Sequence, residues 1–299
     1  MTARSQLVAV LTWCAAPAAA QERPQIVLLD TAILVAPRLS ESSGVTASAR
    51  RRGVYWTIND SGNEPILFAT DSAGRDLGYV RVTAVQNVDW EDLTLAPCVV
   101  TSGACLYVAD IGDNADARPY VVVYRVPEPD PPDGPGDTLR SVGALDSIVL
   151  RYPDRPHNAE ALVVAHGRTL MIVTKDRTGP PSVFQTRLPA RNGAALLEFA
   201  GTLPISVNLV RGRLVTGAAL SPSGEVLAVR TYLSVHFFRR RADAFDVPLT
   251  PPDGIPIPVV ESQGEGVAFD GPDLLVLTSE RGTAGRALLT RLRVLGLGQ

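Results

Sequence analysis

Lysine is almost missing from this chain: of its 28 basic residues, all but Lys175 are arginine. Histidine is confined to His157, His166 and His236, and cysteine to Cys14, Cys98 and Cys105. The histidines are dispersed, and no histidine lies near the Cys98–Cys105 pair, which excludes zinc binding at the usual ligand spacing. Each histidine is expected at an ordinary surface or turn position. No apolar run approaches the ~20 residues of a membrane-spanning helix. Positive charge is not in excess either. The formal charge of −3 and a pI near 5.7 exclude a nucleic-acid backbone as partner. The arginine triplets at 50–52 and 239–241 read as solvated turns between strands. Also lacking are a Gly-x-Ser-x-Gly elbow, a P-loop and a glycine-rich dinucleotide turn, so no familiar catalytic machine is present.

Turn formers are plentiful. With 25 Gly, 24 Pro and 45% hydrophobic residues in 299, the chain suits one large all-β domain. Its start reads as an address: Arg4, an apolar stretch Leu7–Trp13, then Ala18-Ala19-Ala20 before Gln21. This predicts a signal peptide over 1–20 and a mature domain over 21–299, exported to the periplasm or outside the cell. Leu11-Thr12-Trp13-Cys14 resembles a lipoprotein acylation box, but Trp13 stands where Gly or Ala is wanted, so lipidation is the lesser alternative. Cleavage removes Cys14 and leaves no stable membrane anchor. Cys98 and Cys105 flank a turn-like link between two strands, which predicts a disulfide in an oxidising compartment. Two buried thiols are the alternative.

Five times a short apolar strand runs into polar residues: Val54–Asp60, Leu106–Asp110, Leu170–Lys175, Val226–Arg230 and Leu274–Glu280. Repeated strands with no helical period between them predict a β-propeller of four-stranded blades, five favoured and six the alternative. In the fourth repeat the outer strand is placed at Ile257–Val260. The last repeat lacks its outer strand, and Gln25–Leu29 is left over at the start, so that segment is expected to close the ring. The Pro-rich link Pro127–Asp137 reads as an unpacked excursion on the rim.

A glutamate precedes the innermost strand in three repeats, at Glu91, Glu160 and Glu265. Together with Asp110 these should converge at the axial mouth, because the same register point of each repeat projects onto one face. Lys175 and Arg230-Thr231-Tyr232 end the matching strands, so Lys175, Arg230 and Tyr232 are candidate contacts for a small anionic ligand. Four carboxylates against two cations leave a deficit that a hard divalent cation, calcium above all, would fill. The oxygen-rich stretch Asp110–Asp116 points the same way. The competing reading is a ring of salt bridges that only fastens the blades.

Asn87–Leu93, Ala109–Asn114 and Val229–Tyr232 resemble an uncharacterised group of exported bacterial β-propellers. More distantly, Gln263–Asp270 resembles the Glu-Gly-aliphatic blade motif of the phytase-like β-propellers. That resemblance implies metal on Glu91, Glu160 and Glu265, phosphate on Lys175, Arg230 and Tyr232, and calcium-dependent phosphoester hydrolysis. A gluconolactonase-like propeller, with Asn59, Glu91, Asp110 and Asn114 around one metal, is a third reading. A protein-interaction scaffold is a fourth.

Overall fold

The computed structural model describes residues 23–135, 140–165, 168–206, 210–242 and 244–297. The signal segment, Cys14, His166 and the end of the Pro-rich link lie outside them. Strand β1 (Gln25–Ile33) is followed by blade one, β2 (Ser42–Ala47), β3 (Val54–Asn59), β4 (Ile66–Asp71) and β5 (Asp76–Thr83). Blade two is β6 (Trp90–Pro97), β7 (Ala104–Asp110) and β8 (Val121–Pro127), then, past a short β9 (Ser141–Gly143), β10 (Asp146–Arg151). Blade three is β11 (Ala159–Ala165), β12 (Thr169–Thr174) and β13 (Ser182–Arg187), with β15 (Glu198–Thr202) reached through β14 (Gly193–Leu196). A single helical turn, α1 (Val210–Arg213), leads into blade four, β16 (Val215–Leu220), β17 (Val226–Thr231), β18 (Ser234–Arg241), β19 (Ala244–Pro248) and β20 (Ile255–Pro256). Blade five is β21 (Gln263–Phe269), β22 (Leu274–Glu280) and β23 (Leu288–Leu295), completed by β1.

The sheets number five, and no sixth blade exists among the described residues. The N-terminal strand closes the ring as expected, antiparallel to β23 with Gln25 opposite Leu295 and Ile33 opposite Leu288. Two more links tie blades together. β9 adds parallel to β5 of blade one, and β14 adds parallel to β10 of blade two, so blades one and two each take a strand from the link between the third and fourth strands of the next blade.

The apolar runs of the second strands are continuous because both of their faces are buried between blades. In β7, Leu106 and Val108 pack toward blade one, while Tyr107 and Ala109 pack toward blade three. The core is therefore five layers between neighbouring blades.

Four expectations need correction. The outer strand of blade four is β19, and Ile257–Val260 is not a strand. Val260 is 96% exposed. The described part of the Pro-rich link is packed: buried Glu128 accepts hydrogen bonds from Ser48 Oγ (2.6 Å) and Trp56 Nε1 (3.2 Å). Arg50 and Arg51 stand in the exposed β2–β3 turn as expected and hold the same link, at Asp130 (2.9 Å) and Asp133 (2.5 Å), whereas residues 239–241 lie inside β18. His157 and His236 are buried. His236 Nε2 lies 3.0 Å from Ser234 Oγ, and burial depresses its pKa to about 4. The Cys98–Cys105 disulfide forms, with Cα atoms 4.9 Å apart across the β6–β7 hairpin.

Candidate functional site

Every innermost strand carries an irregularity at the same point. Register shifts fall between Ser42 and Val45, Trp90 and Asp92, Ala159 and Ala161, Val215 and Gly217, and Gly264 and Val267. A β-bulge re-aims a side chain out of the alternating pattern. Here it presents Ser43, Glu91, Glu160, Thr216 and Glu265 as a buried ring at one mouth of the axis. Ser43 Oγ donates to the Glu91 carbonyl at 2.6 Å, and Thr216 Oγ1 to the Glu265 carbonyl at 3.1 Å. Blades one and four thus brace the glutamates of their neighbours.

One residue further along, the ring narrows to Gly44, Asp92, Ala161, Gly217 and Gly266. A Cβ on Gly44 would lie 2.8 Å from the Asp92 carboxylate, and one on Gly266 would lie 2.9 Å from the Val45 nitrogen. Asp92 fills the space these small residues leave. Its carboxylate accepts N–H groups from Leu93 (2.8 Å), Leu162 (2.9 Å) and Ala218, so it joins three blades beneath the glutamate ring.

Around the ring stand the ends of the second strands and the links beside them. Oxygens of Asp60, Asp89 and Glu91 come within 4.8 Å of one another, a spacing one metal ion can bridge. Asp89 reaches this point because its loop is held from both sides. Asp110 accepts the N–H groups of Val88 and Asp89 at 3.2 Å each, and Asn87 donates to the Asp60 carbonyl at 2.8 Å. The Glu91 and Asp89 carboxylates lie where a Cβ on Gly112 would be, so only glycine admits them there.

The electrostatics are one-sided. Burial, then Glu160, Asp60 and Asp89, push Glu91 well above the usual carboxylate range. Burial, with Asp60 and Glu160, raises Asp89 to about 6, and burial, with Asp60 and Glu41, raises Glu280 to about 7. Glu265 is also raised well above its ordinary value by burial, with Lys175 opposing and Glu160 and Glu280 adding. Against them stands Lys175, whose Nζ lies 2.9 Å from Glu160 Oε1 and 5.0 Å from the centre of the Tyr232 ring. Burial acts to lower its pKa, but Glu160, Glu265 and Tyr232 outweigh this and raise it. The guanidinium of Arg211 sits 4.9 Å from the same ring. Two carboxylate oxygens in the cluster, Asp89 Oδ1 and Glu265 Oε2, are buried without a hydrogen-bond partner.

Of the residues singled out from the sequence, Glu91, Glu160, Glu265, Lys175 and Tyr232 come together. Asp110 stands behind them. It pairs with Arg118 at 2.8 Å and fixes the Asp89 loop instead of facing the axis. Arg230 is wholly buried and committed: it pairs with Glu261 and donates to the carbonyls of Gly266 and Thr278 at 2.7 Å each. Asn59 is likewise spent, accepting from Ser40 and Glu41 at 3.1 Å each, and Asn114 is exposed. Asp113 caps Arg118 at 2.8 Å, so the Asp110–Asp116 stretch is a braced turn. Asp60 and Glu280, where two of the five recurring apolar strands run into polar residues, join the cluster as their shared register point implies, and Asp89 joins it without having been singled out. The phrase Asn87-Val88-Asp89-Trp90-Glu91 was the available signal for Asp89, since it sets two carboxylates around the start of an inner strand.

These features define a five-bladed β-propeller with an acidic axial mouth. No known family's profile matches the sequence, and no curated protein matches it. Among solved structures, the PQQ-bound aldose sugar dehydrogenase of Streptomyces coelicolor superposes with a TM-score of 0.53 at 13% identity, over 91% of this chain and 98% of that one. A luciferin-regenerating enzyme gives 0.46 at 10% identity, over 92% and 96%. The first likeness supports the fold. Nothing in these comparisons supports the resemblance to the phytase-like or the uncharacterised exported propellers.

Proposed function

We propose that the axial mouth binds a hard divalent cation of the calcium class and presents it, beside Lys175, to a small anionic ligand. The observation that carries this reading is the convergence of Asp60, Asp89 and Glu91 within 4.8 Å. The unpartnered Asp89 Oδ1 and Glu265 Oε2 add to it, since a buried carboxylate oxygen without a donor calls for a cation or a proton. The donors are all oxygens, with no histidine or cysteine among them, which favours calcium, magnesium or manganese over zinc. Lys175 and Tyr232 stand beside Glu160 and Glu265. An anion bound to the cation would meet the ammonium group there. The disulfide supports an exported protein, whose surroundings hold calcium at higher levels than a cytosol.

A calcium-dependent phosphoesterase is the narrower reading. Lys175 and Tyr232 favour it. Arg230 weighs against it, because its guanidinium is consumed by Glu261 and two carbonyls. Binding without turnover needs fewer assumptions. Isothermal titration of calcium into EDTA-treated, dialysed protein tests the proposal. One saturable site lost in Asp89→Asn and in Glu91→Gln is expected. Heat no different from buffer dilution refutes it, and turnover of a phosphomonoester by the calcium-loaded protein would restore the hydrolase reading.

A further inference from the structure

The inner strands run from the carboxylate ring to the other face of the propeller, and there the chemistry reverses. A cavity of about 540 Å³ opens among the far ends of β6, β11 and β16, walled by Leu95, Pro97, Val99, Val164, Ala165 and Leu220. A second space of about 190 Å³ shares Thr94, Leu95, Leu220 and Pro222 with it and extends along the axis to Leu93, Ala218 and Val267. Asp92, adjacent to Leu93, separates this funnel, lined mostly by apolar side chains, from the acidic mouth. The disulfide hairpin forms one side of the opening through Cys98. Cavities of some 300–1,000 Å³ with apolar walls and a few polar groups are the usual form of small-molecule sites.

One charged residue stands in the wall among the described residues, Arg168. Its backbone lies at φ 125°, where side-chain-bearing residues are rarely found. The N–H of Leu188 donates to its carbonyl at 2.7 Å and helps hold it there. Among the described residues no acidic side chain lines either space, although the chain as a whole carries a net charge of −3. An open cleft walled mostly by apolar side chains, with one cation at its edge and no acidic side chain among the described residues, complements one kind of ligand.

From this we infer that the face opposite the carboxylates binds a small apolar molecule bearing a single anionic group, with the apolar body in the funnel and the anion on Arg168. The inference does not depend on the cation reading, because its residues and its charge are different. It is tested by fluorescence titration of the native full-length protein with 8-anilinonaphthalene-1-sulfonate, an apolar body with one sulfonate, in EDTA. The neutral probe N-phenyl-1-naphthylamine is titrated alongside. Saturable one-to-one binding of the anionic probe is expected, displaced by decanoate. Arg168→Gln should weaken the anionic probe by about tenfold, the worth of one charge-assisted hydrogen bond, and leave the neutral probe unchanged. Val164→Glu, placed on a partly exposed wall, should abolish both. The inference is overturned by absence of saturable binding, or by an anionic-probe affinity that Arg168→Gln leaves as it was. Decanoate that fails to displace the probe overturns it equally.

Discussion

The carboxylate of Asp92 in blade two accepts the backbone N–H of Leu162 in blade three at 2.9 Å, while it also takes the N–H of Leu93 and that of Ala218 in blade four. It is completely buried, beneath the glutamate ring. Removing the acceptor strands buried donors in three blades. Asp92→Ala is therefore expected to cost about 2–4 kcal/mol, since one unsatisfied buried group costs about 1–3 kcal/mol. Asp92→Asn, which keeps one acceptor oxygen, should cost less. Urea unfolding checks both, and an alanine variant as stable as the parent would show that the axis is held by other means.

Lys175 is expected to oppose the cation and favour the anion. Its ammonium group is buried among Glu160, Glu265 and Tyr232. Lys175→Met removes a positive charge near the cation, so calcium affinity should rise by about an order of magnitude, in line with Coulomb energies of about 1–2 kcal/mol at an intermediate effective dielectric. Binding of inorganic phosphate to the calcium-loaded protein should weaken in the same variant. Calorimetry reads both, and a drop in calcium affinity would place Lys175 among residues that merely brace the ring.

Stability should depend on pH in an unusual direction when metal is withheld. Burial and neighbouring carboxylates hold Glu280 near 7 and Asp89 near 6, whereas both ionise near pH 4 in an unfolded chain. The folded protein thus binds more protons between pH 4 and 7, and its stability falls as pH rises through that window. His236 acts the other way. Its folded pKa of about 4 means that its contribution is present above 6.5 and lost as pH falls toward 4. Between pH 6.5 and 7.5 the folded histidine is neutral and the unfolded one sheds only its remaining half proton, so Glu280 and Asp89 dominate. The melting temperature in EDTA should fall over that interval and hold steady with calcium present. A midpoint in EDTA that rises there contradicts the assignment of raised carboxyl groups.

The disulfide closes a short loop, with Cys98 and Cys105 separated by seven positions. Reduction, or Cys98→Ser with Cys105→Ser, should lower stability by about 2–3 kcal/mol on the chain-entropy scale. The hairpin also forms one side of the apolar funnel, so the same change should weaken anilinonaphthalene sulfonate binding. Denaturant midpoints with and without reductant test the first expectation, and a loss below about 0.5 kcal/mol would contradict it.

The ring and its closure were legible because period and register are sequence properties. Five apolar strands recur, and the strand missing after Leu288–Leu295 has its counterpart at Gln25–Ile33. The three glutamates were legible for the same reason, since a common register point must share a face. What escaped was set by distance in space. Arg230 looked available at a strand end, yet Glu261, brought in by a loop 31 positions away, takes its guanidinium. Asp110 looked like a ligand, yet Arg118 and two loop amides occupy it. Glu128, in a stretch too rich in proline and aspartate to suggest packing, is buried by Ser48 and Trp56, which lie far earlier in the chain. Local composition carries no record of such partners.

The central claim is that the acidic mouth is a cation site and not a set of salt bridges, and calcium-dependent thermal unfolding tests it most directly. Calcium at a hundred times its dissociation constant should stabilise the folded protein by about 2.7 kcal/mol, raising the melting temperature by several degrees over EDTA. Glu91→Gln removes a charged ligand of the Asp60–Asp89–Glu91 group and should abolish most of that shift. Its melting temperature in EDTA should be no lower than the parent's, because a neutral amide relieves the repulsion from Glu160, Asp60 and Asp89. Equal melting temperatures for the parent with calcium and with EDTA would contradict the claim, as would a calcium shift that Glu91→Gln leaves intact.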